Sequence, residues 1–258
     1  MADVRADPMA NPTVFELLRN SSPMVSAGIL TADLLSLGSE LSLLERAGAK
    51  AVHVDVMDGC FCPMMTVGPP VVKALSTPLL KDVHLMIDEP TNKVVDYVAA
   101  GADIITIHAE ACSHVHRVLQ LMRMMKNSND PARGLVRGVA LNPGTPLEVL
   151  EPLLDELELI LILAVSPGWS GQKFIPSTVA RIEKAKRMIA GSPHEILLGV
   201  DGGITRDNIA SVAGMSVDLI VTGSAVFDGR APEANLRFML EAVKTGAGRQ
   251  HRGLRSEF

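Results

Sequence analysis

The run from Ala51 to Pro69, AVHVDVMDGCFCPMMTVGP, decides how the chain is read. Its first seven residues, Ala51 to Met57, are apolar apart from His53 and Asp55. These two lie two positions apart. In a strand they face the same side, about 6.6–7 Å apart along the chain. An imidazole and a carboxylate on one face of a buried strand need something to compensate them. A divalent metal would do so, since both side chains are metal ligands. A hydrogen-bonded His–Asp pair inside a core would also do so.

Outward from this stretch the same unit recurs. Apolar strands are expected at Met24–Leu30, Ala51–Asp55, Leu80–Met86, Asp103–His108, Val136–Leu141, Leu159–Val165, Ile196–Val200 and Asp218–Thr222. Helical patterns follow them at Asp33–Ala47, Pro70–Leu75, Asn92–Ala100, Cys112–Lys126, Leu147–Leu154, Ser177–Ala190, after Thr205, and at Pro232–Val243. In the first of these helices Leu34, Leu37, Leu41 and Leu44 recur at helical spacing, with Thr31 as the expected cap and Gly48 as the stop. Continuous apolar strands are buried on both faces, as in a parallel sheet. Eight strand–helix units without a linker predict an α/β chain closed into a (β/α)8 TIM barrel, a single domain over residues 23–245. An open doubly wound sheet is the alternative. Residues 1–22 read as an N-terminal extension with a short helix at Val14–Arg19, and 246–258 as a disordered tail.

Aromatic residues make up only 3% of the chain, so the core must be aliphatic. The net charge of −5 argues against nucleic acid as the main partner. Three cysteines, Cys60, Cys62 and Cys112, without framework spacing read as reduced thiols in an intracellular protein. The first fifteen residues lack a signal-peptide pattern, and the longest apolar runs are too short to span a membrane.

Polar residues gather at the strand ends. His53 and Asp55 close strand two, His84 lies late in strand three, His108 ends strand four and Asp201 ends strand seven. In a barrel these ends form one rim, where active sites sit. His108 reads as pointing into the barrel layers, His114 and His116 as exposed on a helix, and Glu110 has no assigned role. DGGI after strand seven and TGSAVF after strand eight place glycines just before helix starts, a pattern that cradles anions. PGWSGQ after strand six could add further donors.

Taken together, HVDVMDG with PMMTVGPPVVKAL after it, DVHLMI, VALNPGTPL, VSPGWSGQKFI, VDGGI and VTGSAVF resemble the ribulose-phosphate 3-epimerase family in order and spacing. The resemblance spans roughly Ser26 to Phe227. It implies a metal-dependent barrel enzyme of the pentose phosphate pathway that interconverts D-ribulose 5-phosphate and D-xylulose 5-phosphate. The implied metal ligands are His53, Asp55, His84 and Asp201, holding one divalent ion (Zn, Fe, Mn or Co) per subunit. Asp55 and Asp201 are the implied acid/base pair. Phosphate and substrate contacts fall on Gly168, Trp169, Ser170, Gly171, Gly202, Gly203, Gly223, Ser224, Ser26, Met57, Met86 and His84. The resemblance further implies a cytoplasmic homo-oligomer, dimer or hexamer, with a phosphorylated ketose as partner and neither nucleic acid nor membrane.

The chain departs from the family pattern in places. Gly28 stands where the family carries a serine, with Ser26 two residues earlier, and Leu163 where it carries a methionine. Cys60, Cys62 and Met64 alter the loop after Asp58. These changes admit an epimerase for a related ketose phosphate. A non-catalytic sugar-phosphate-binding barrel is the reading from another class. Related synthases and decarboxylases carry D-x-K-x-x-D, whereas Asp55, Val56, Met57 and Asp58 here include no lysine.

Overall fold

The computed structural model describes residues 12–229 and 231–253, with side chains described as far as residue 248. Its strands are β1 (Met24–Gly28), β2 (Ala51–Met57), β3 (Leu80–Met86), β4 (Ile104–His108), β5 (Val136–Leu141), β6 (Leu159–Leu163), β7 (Leu197–Asp201) and β8 (Leu219–Thr222). Each pairs in parallel with the next, and β1 pairs with β8, so the sheet closes into a barrel. The α-helices are α1 (Val14–Asn20), α2 (Leu37–Ala47), α3 (Pro69–Ala74), α4 (Val94–Ala99), α5 (Val115–Met124), α6 (Thr178–Ala190), α7 (Ile209–Ala213) and α8 (Pro232–Gly253). A 3-10 turn, Leu147–Leu153, replaces an α-helix between β5 and β6. This is the expected (β/α)8 architecture.

Strand alternation sorts the side chains. One set, including Val52, Val54, Val83, Ile105, Val139, Ile160 and Val200, packs against the helices in the main aliphatic core. The other set points into the barrel. The first residue of every strand (Met24, Ala51, Leu80, Ile104, Val136, Leu159, Leu197 and Leu219) joins one buried cluster at the N-terminal end. Val14 and Leu18 of α1 complete that cluster and close the barrel floor. Thr13 and Glu16 form a capping box that fixes where α1 begins. The stretch read as an extension therefore supplies core side chains to the barrel.

Two local expectations differ from what is found. Thr31 does not cap a helix: it lies in a 3-10 turn, Ile29–Thr31, and Asp33 caps a second turn, Leu34–Ser36, through Leu35 N–H. The chain leaving β1 must bend over the rim, and these turns delay the start of α2 to Leu37. At the other end α8 continues to Gly253 rather than stopping near Val243. The expected disordered tail is thus helical over 246–253, and residues 254–258 lie outside the described residues.

Candidate active site

Above the apolar floor, the inward positions of β2, β3, β4 and β7 are polar. His53, Asp82, His84 and His108 are buried, and Asp55 and Asp201 are largely so, with side chains 16% exposed. Parallel register places Asp55 beside His84 and His53 beside Asp82. The chain thereby concentrates ionisable groups where an aliphatic layer would otherwise sit.

Four of these residues converge. His53, Asp55, His84 and Asp201 each offer one ligand atom, and those atoms lie within 4.8 Å of one another. Asp55 Oδ1 stands 3.3 Å from His53 Nε2 and 3.4 Å from His84 Nδ1. Asp201 Oδ2 stands 3.5 Å from His84 Nδ1 and 3.9 Å from His53 Nε2. Yet His53 Nε2 and His84 Nδ1 are buried with no hydrogen-bond partner among the described residues. Close as the facing oxygens are, neither nitrogen is satisfied by them. Two imidazoles and two carboxylates gathered this closely, with both imidazole nitrogens unsatisfied, suit a divalent transition metal, and His53, Asp55, His84 and Asp201 are able to hold it.

The opposite ring nitrogens are occupied. His53 Nδ1 lies 2.7 Å from Asp82 Oδ2, and Ser26 Oγ donates to the same oxygen at 2.8 Å. Asp82 thus holds the Nδ1 proton of His53 and leaves Nε2 facing the cluster. His84 Nε2 lies 2.9 Å from His108 Nε2, and His108 Nδ1 lies 3.2 Å from Glu110 Oε2.

Electrostatics follow this arrangement. Burial by itself would push the His53 imidazole down, but the carboxylates of Asp82 and Asp55 hold it well above its usual range. Burial likewise opposes charge on His84, and Asp201 and Asp55 raise it. Asp55 is held low against its burial by His53 and His84. His108 goes the other way: burial pushes it down to about 4, only partly offset by Glu110. Glu110, despite burial, sits at about 2 because His108, Thr145 and the Asn142 N–H bond its charged form.

A cavity opens above the cluster. Asp55, Asp201, Met57, Met86, Leu163 and Gly28 line its depth. Gly168, Trp169, Ser170 and Gly171 line it from the β6 loop, Gly202 and Gly203 from the β7 loop, and Gly223 and Ser224 after β8. Backbone proximity explains two of these glycines. Gly203 has φ +66°, and a Cβ there would sit 2.4 Å from Phe174 N. A Cβ on Gly223 would sit 2.9 Å from the Gly28 carbonyl oxygen. Met57 and Met86 pack with Cys62 into a soft apolar wall. Trp169 remains half exposed, and Gln172 ties its loop by donating to the carbonyls of Ser166 and Trp169.

The site residues expected from the sequence meet here, with one correction. Ser26 is fully buried and bonded to Asp82, beneath His53, and is not among the residues lining the cavity. Its strand position, two residues before the rim, puts it a layer too deep, while Gly28 lines the cavity. His108 is buried in the barrel, as expected, but its link to His84 and the part of Glu110 beside it are not read from the sequence, and Asp82 is not singled out there at all. The signal was present in part: Asp82 and His84, like His108 and Glu110, repeat the two-apart spacing of His53 and Asp55. His116 is exposed on α5, as expected, and His114 is exposed at the N-cap position just before it.

Fold and site together define a class: a TIM barrel whose C-terminal mouth joins a four-residue set able to hold a metal to a glycine-lined pocket suited to an anion. Residues 24–227 match the Ribulose-phosphate 3 epimerase family. The chain is 43% identical over 206 residues to the ribulose-phosphate 3-epimerase of Bacillus subtilis (strain 168), covering 79% of this chain and 91% of that one. It is 41% identical over 211 residues to the ribulose-phosphate 3-epimerase of Escherichia coli (strain K12), covering 80% and 89%. Among solved structures it is similar in fold to KGPDC from Streptococcus mutans, with a TM-score of 0.61 at 14% identity over 86% of this chain and 98% of that one. The chain belongs to the ribulose-phosphate 3-epimerase family.

Proposed function

We propose that the chain is a metal-dependent epimerase that inverts C3 of a ketose phosphate, converting D-ribulose 5-phosphate to D-xylulose 5-phosphate. The observation that carries this is the convergence of His53, Asp55, His84 and Asp201 beneath a glycine-lined cavity. Family membership and the two similar epimerases support it.

Inversion beside a carbonyl removes a proton from one face of C3 and returns one to the other. Asp55 from β2 and Asp201 from β7 are proposed as the two acid/bases. Each faces the cluster with one oxygen, which leaves its second oxygen to take or give a proton. A divalent ion, when bound, supplies charge stabilisation for the enediolate's oxygens. The Gly168–Gly171, Gly202–Gly203 and Gly223–Ser224 segments are proposed to bind the phosphate through backbone N–H groups and to orient C3. Met57 and Met86 present thioethers beside the reacting carbons and keep water away.

The chain's own departures bear on selectivity. Gly28 removes a side chain from the β1 side of the cavity, and a Cβ there would meet Gly223 only at ordinary contact distance, 3.4 Å. The site therefore has spare room at that wall, which favours testing ketose phosphates that differ near it. Cytoplasmic location and a homo-oligomeric state, dimer or hexamer, complete the proposal. No helix of the described residues is long and apolar enough to cross a membrane.

The test uses Asp55→Asn and Asp201→Asn. Metal content is checked first, and then solvent deuterium uptake at C3 and epimerisation are followed. Turnover should fall roughly 10²–10⁴-fold in each, the usual worth of a positioned acid/base. Wild-type turnover in either metal-loaded variant rules out the two-carboxylate mechanism.

A further inference from the structure

We propose that His108 and Glu110 form a positioning relay that fixes the tautomer of His84 and so turns its Nδ1 lone pair toward the metal-holding cluster. The relay runs in one direction. Glu110 is ionised and can only accept, so the proton it faces at 3.2 Å is on His108 Nδ1. A neutral His108 then has Nε2 as its acceptor. The 2.9 Å contact to His84 must therefore carry the proton of His84 Nε2. That leaves Nδ1 of His84 without a proton, at the position where Asp55 and Asp201 stand 3.4 Å and 3.5 Å away. Reversing the chain would place a proton on His84 Nδ1 and lone pair against carboxylate at Glu110.

The surroundings keep the relay in place. The planes of His84 and His108 are 20° apart, and Phe61 packs against His108 with ring centroids 4.7 Å apart. Glu110 is anchored at its far oxygen by Asn142 N–H at 2.7 Å. His108 is fully buried, and Glu110 keeps a side chain 20% exposed. His53 is served by a different device, the Ser26–Asp82 pair. The two imidazoles thus present different nitrogens, Nε2 and Nδ1, and each is set by its own partner.

The proposal rests on the metal-holding reading of the cluster. The experiment measures Zn²⁺ affinity of the purified full chain against a chromogenic chelator, with folding followed by circular dichroism. His108→Phe removes the acceptor and should weaken Zn²⁺ binding roughly 10–100-fold. His108→Gln keeps the polarity, accepting from His84 through its oxygen and donating to Glu110 through its amide, and should stay within a few-fold of wild type. Glu110→Gln cannot accept from both His108 and Asn142, and should weaken binding like His108→Phe. It also serves if that variant does not fold. In ¹⁵N-histidine spectra of the Zn²⁺-loaded wild type, His108 should carry its proton on Nδ1. Wild-type Zn²⁺ affinity in Glu110→Gln, equal losses in His108→Gln and His108→Phe, or an Nε2–H tautomer of His108 each overturn the relay. A wild-type chain that binds no Zn²⁺ overturns the metal reading instead.

Discussion

At the scale of single residues, the site is a competition between protons and a cation for two nitrogens. The facing carboxylates hold His53 well above its ordinary range and raise His84, each against its own burial. When either imidazole is protonated, its second proton occupies the position a cation would take, and the chain must shed it to bind metal. Metal affinity is accordingly expected to rise with pH above 6.5 and to fall on acidification, with binding releasing protons. Calorimetry at pH 7 in two buffers of different ionisation enthalpy should detect net proton release on binding. Binding without proton release contradicts that picture. Much of this constellation was legible in the sequence. His53 and Asp55 break an apolar strand two apart, and His84 and Asp201 end other strands of the same barrel. Asp82 was not legible as their support, because its partners come from register across β1, β2 and β3, which no local pattern encodes. For the same reason the resemblance implies a substrate contact at Ser26, which the structure shows as a buried donor to Asp82.

At the scale of elements, the strands were read more closely than the helices. Leu80–Met86 and Val136–Leu141 coincide with β3 and β5, because apolar runs buried on both faces announce themselves. The helices follow rim loops whose turns depend on tertiary contacts, as with Thr31 and the delayed start of α2. Loop geometry is also where the proposed phosphate contacts lie. Gly203→Ala would force a left-handed φ of +66° on a residue with a side chain and drive its Cβ to 2.4 Å from Phe174 N. The expected result is a raised KM for the ketose phosphate, at least ten-fold or so, with the barrel still folded by circular dichroism. An unchanged KM would show that this loop does not meet the ligand.

At the scale of the whole molecule, the barrel's stability is tied to acidity through groups far apart on it. Glu89 and Glu110 both sit at about 2, below the 4.5 of an unperturbed glutamate. Side-chain and backbone donors near Thr91 and Ser113 hold Glu89 down, and His108, Thr145 and Asn142 outweigh burial at Glu110. Between those values the unfolded chain binds more protons, so stability grows with pH there and is lost as pH falls from about 4.5 to about 2. His108, pushed by burial to about 4 from 6.5, acts in the same sense and extends the window upward. Urea midpoints should therefore drop steadily between pH 6.5 and pH 3. Glu110→Gln should show a shallower decline over the lower half, and an identical slope would remove Glu110 from the account. Only part of this is legible before folding: Thr91 and His108 lie two positions from Glu89 and Glu110, but Ser113 and Asn142 are 24 and 32 positions away and reach them only through the fold.

The floor sealed by Val14 and Leu18 has a kinetic corollary. With the far end of the barrel packed by side chains, ion and sugar share one doorway, and the ion's seat is the deeper of the two. Traffic must then be ordered: the ion enters first and leaves last. A chelator should strip the metal slowly while a ketose phosphate fills the vestibule and quickly once it has gone, and equal stripping rates in both conditions would mean the ion has a back exit.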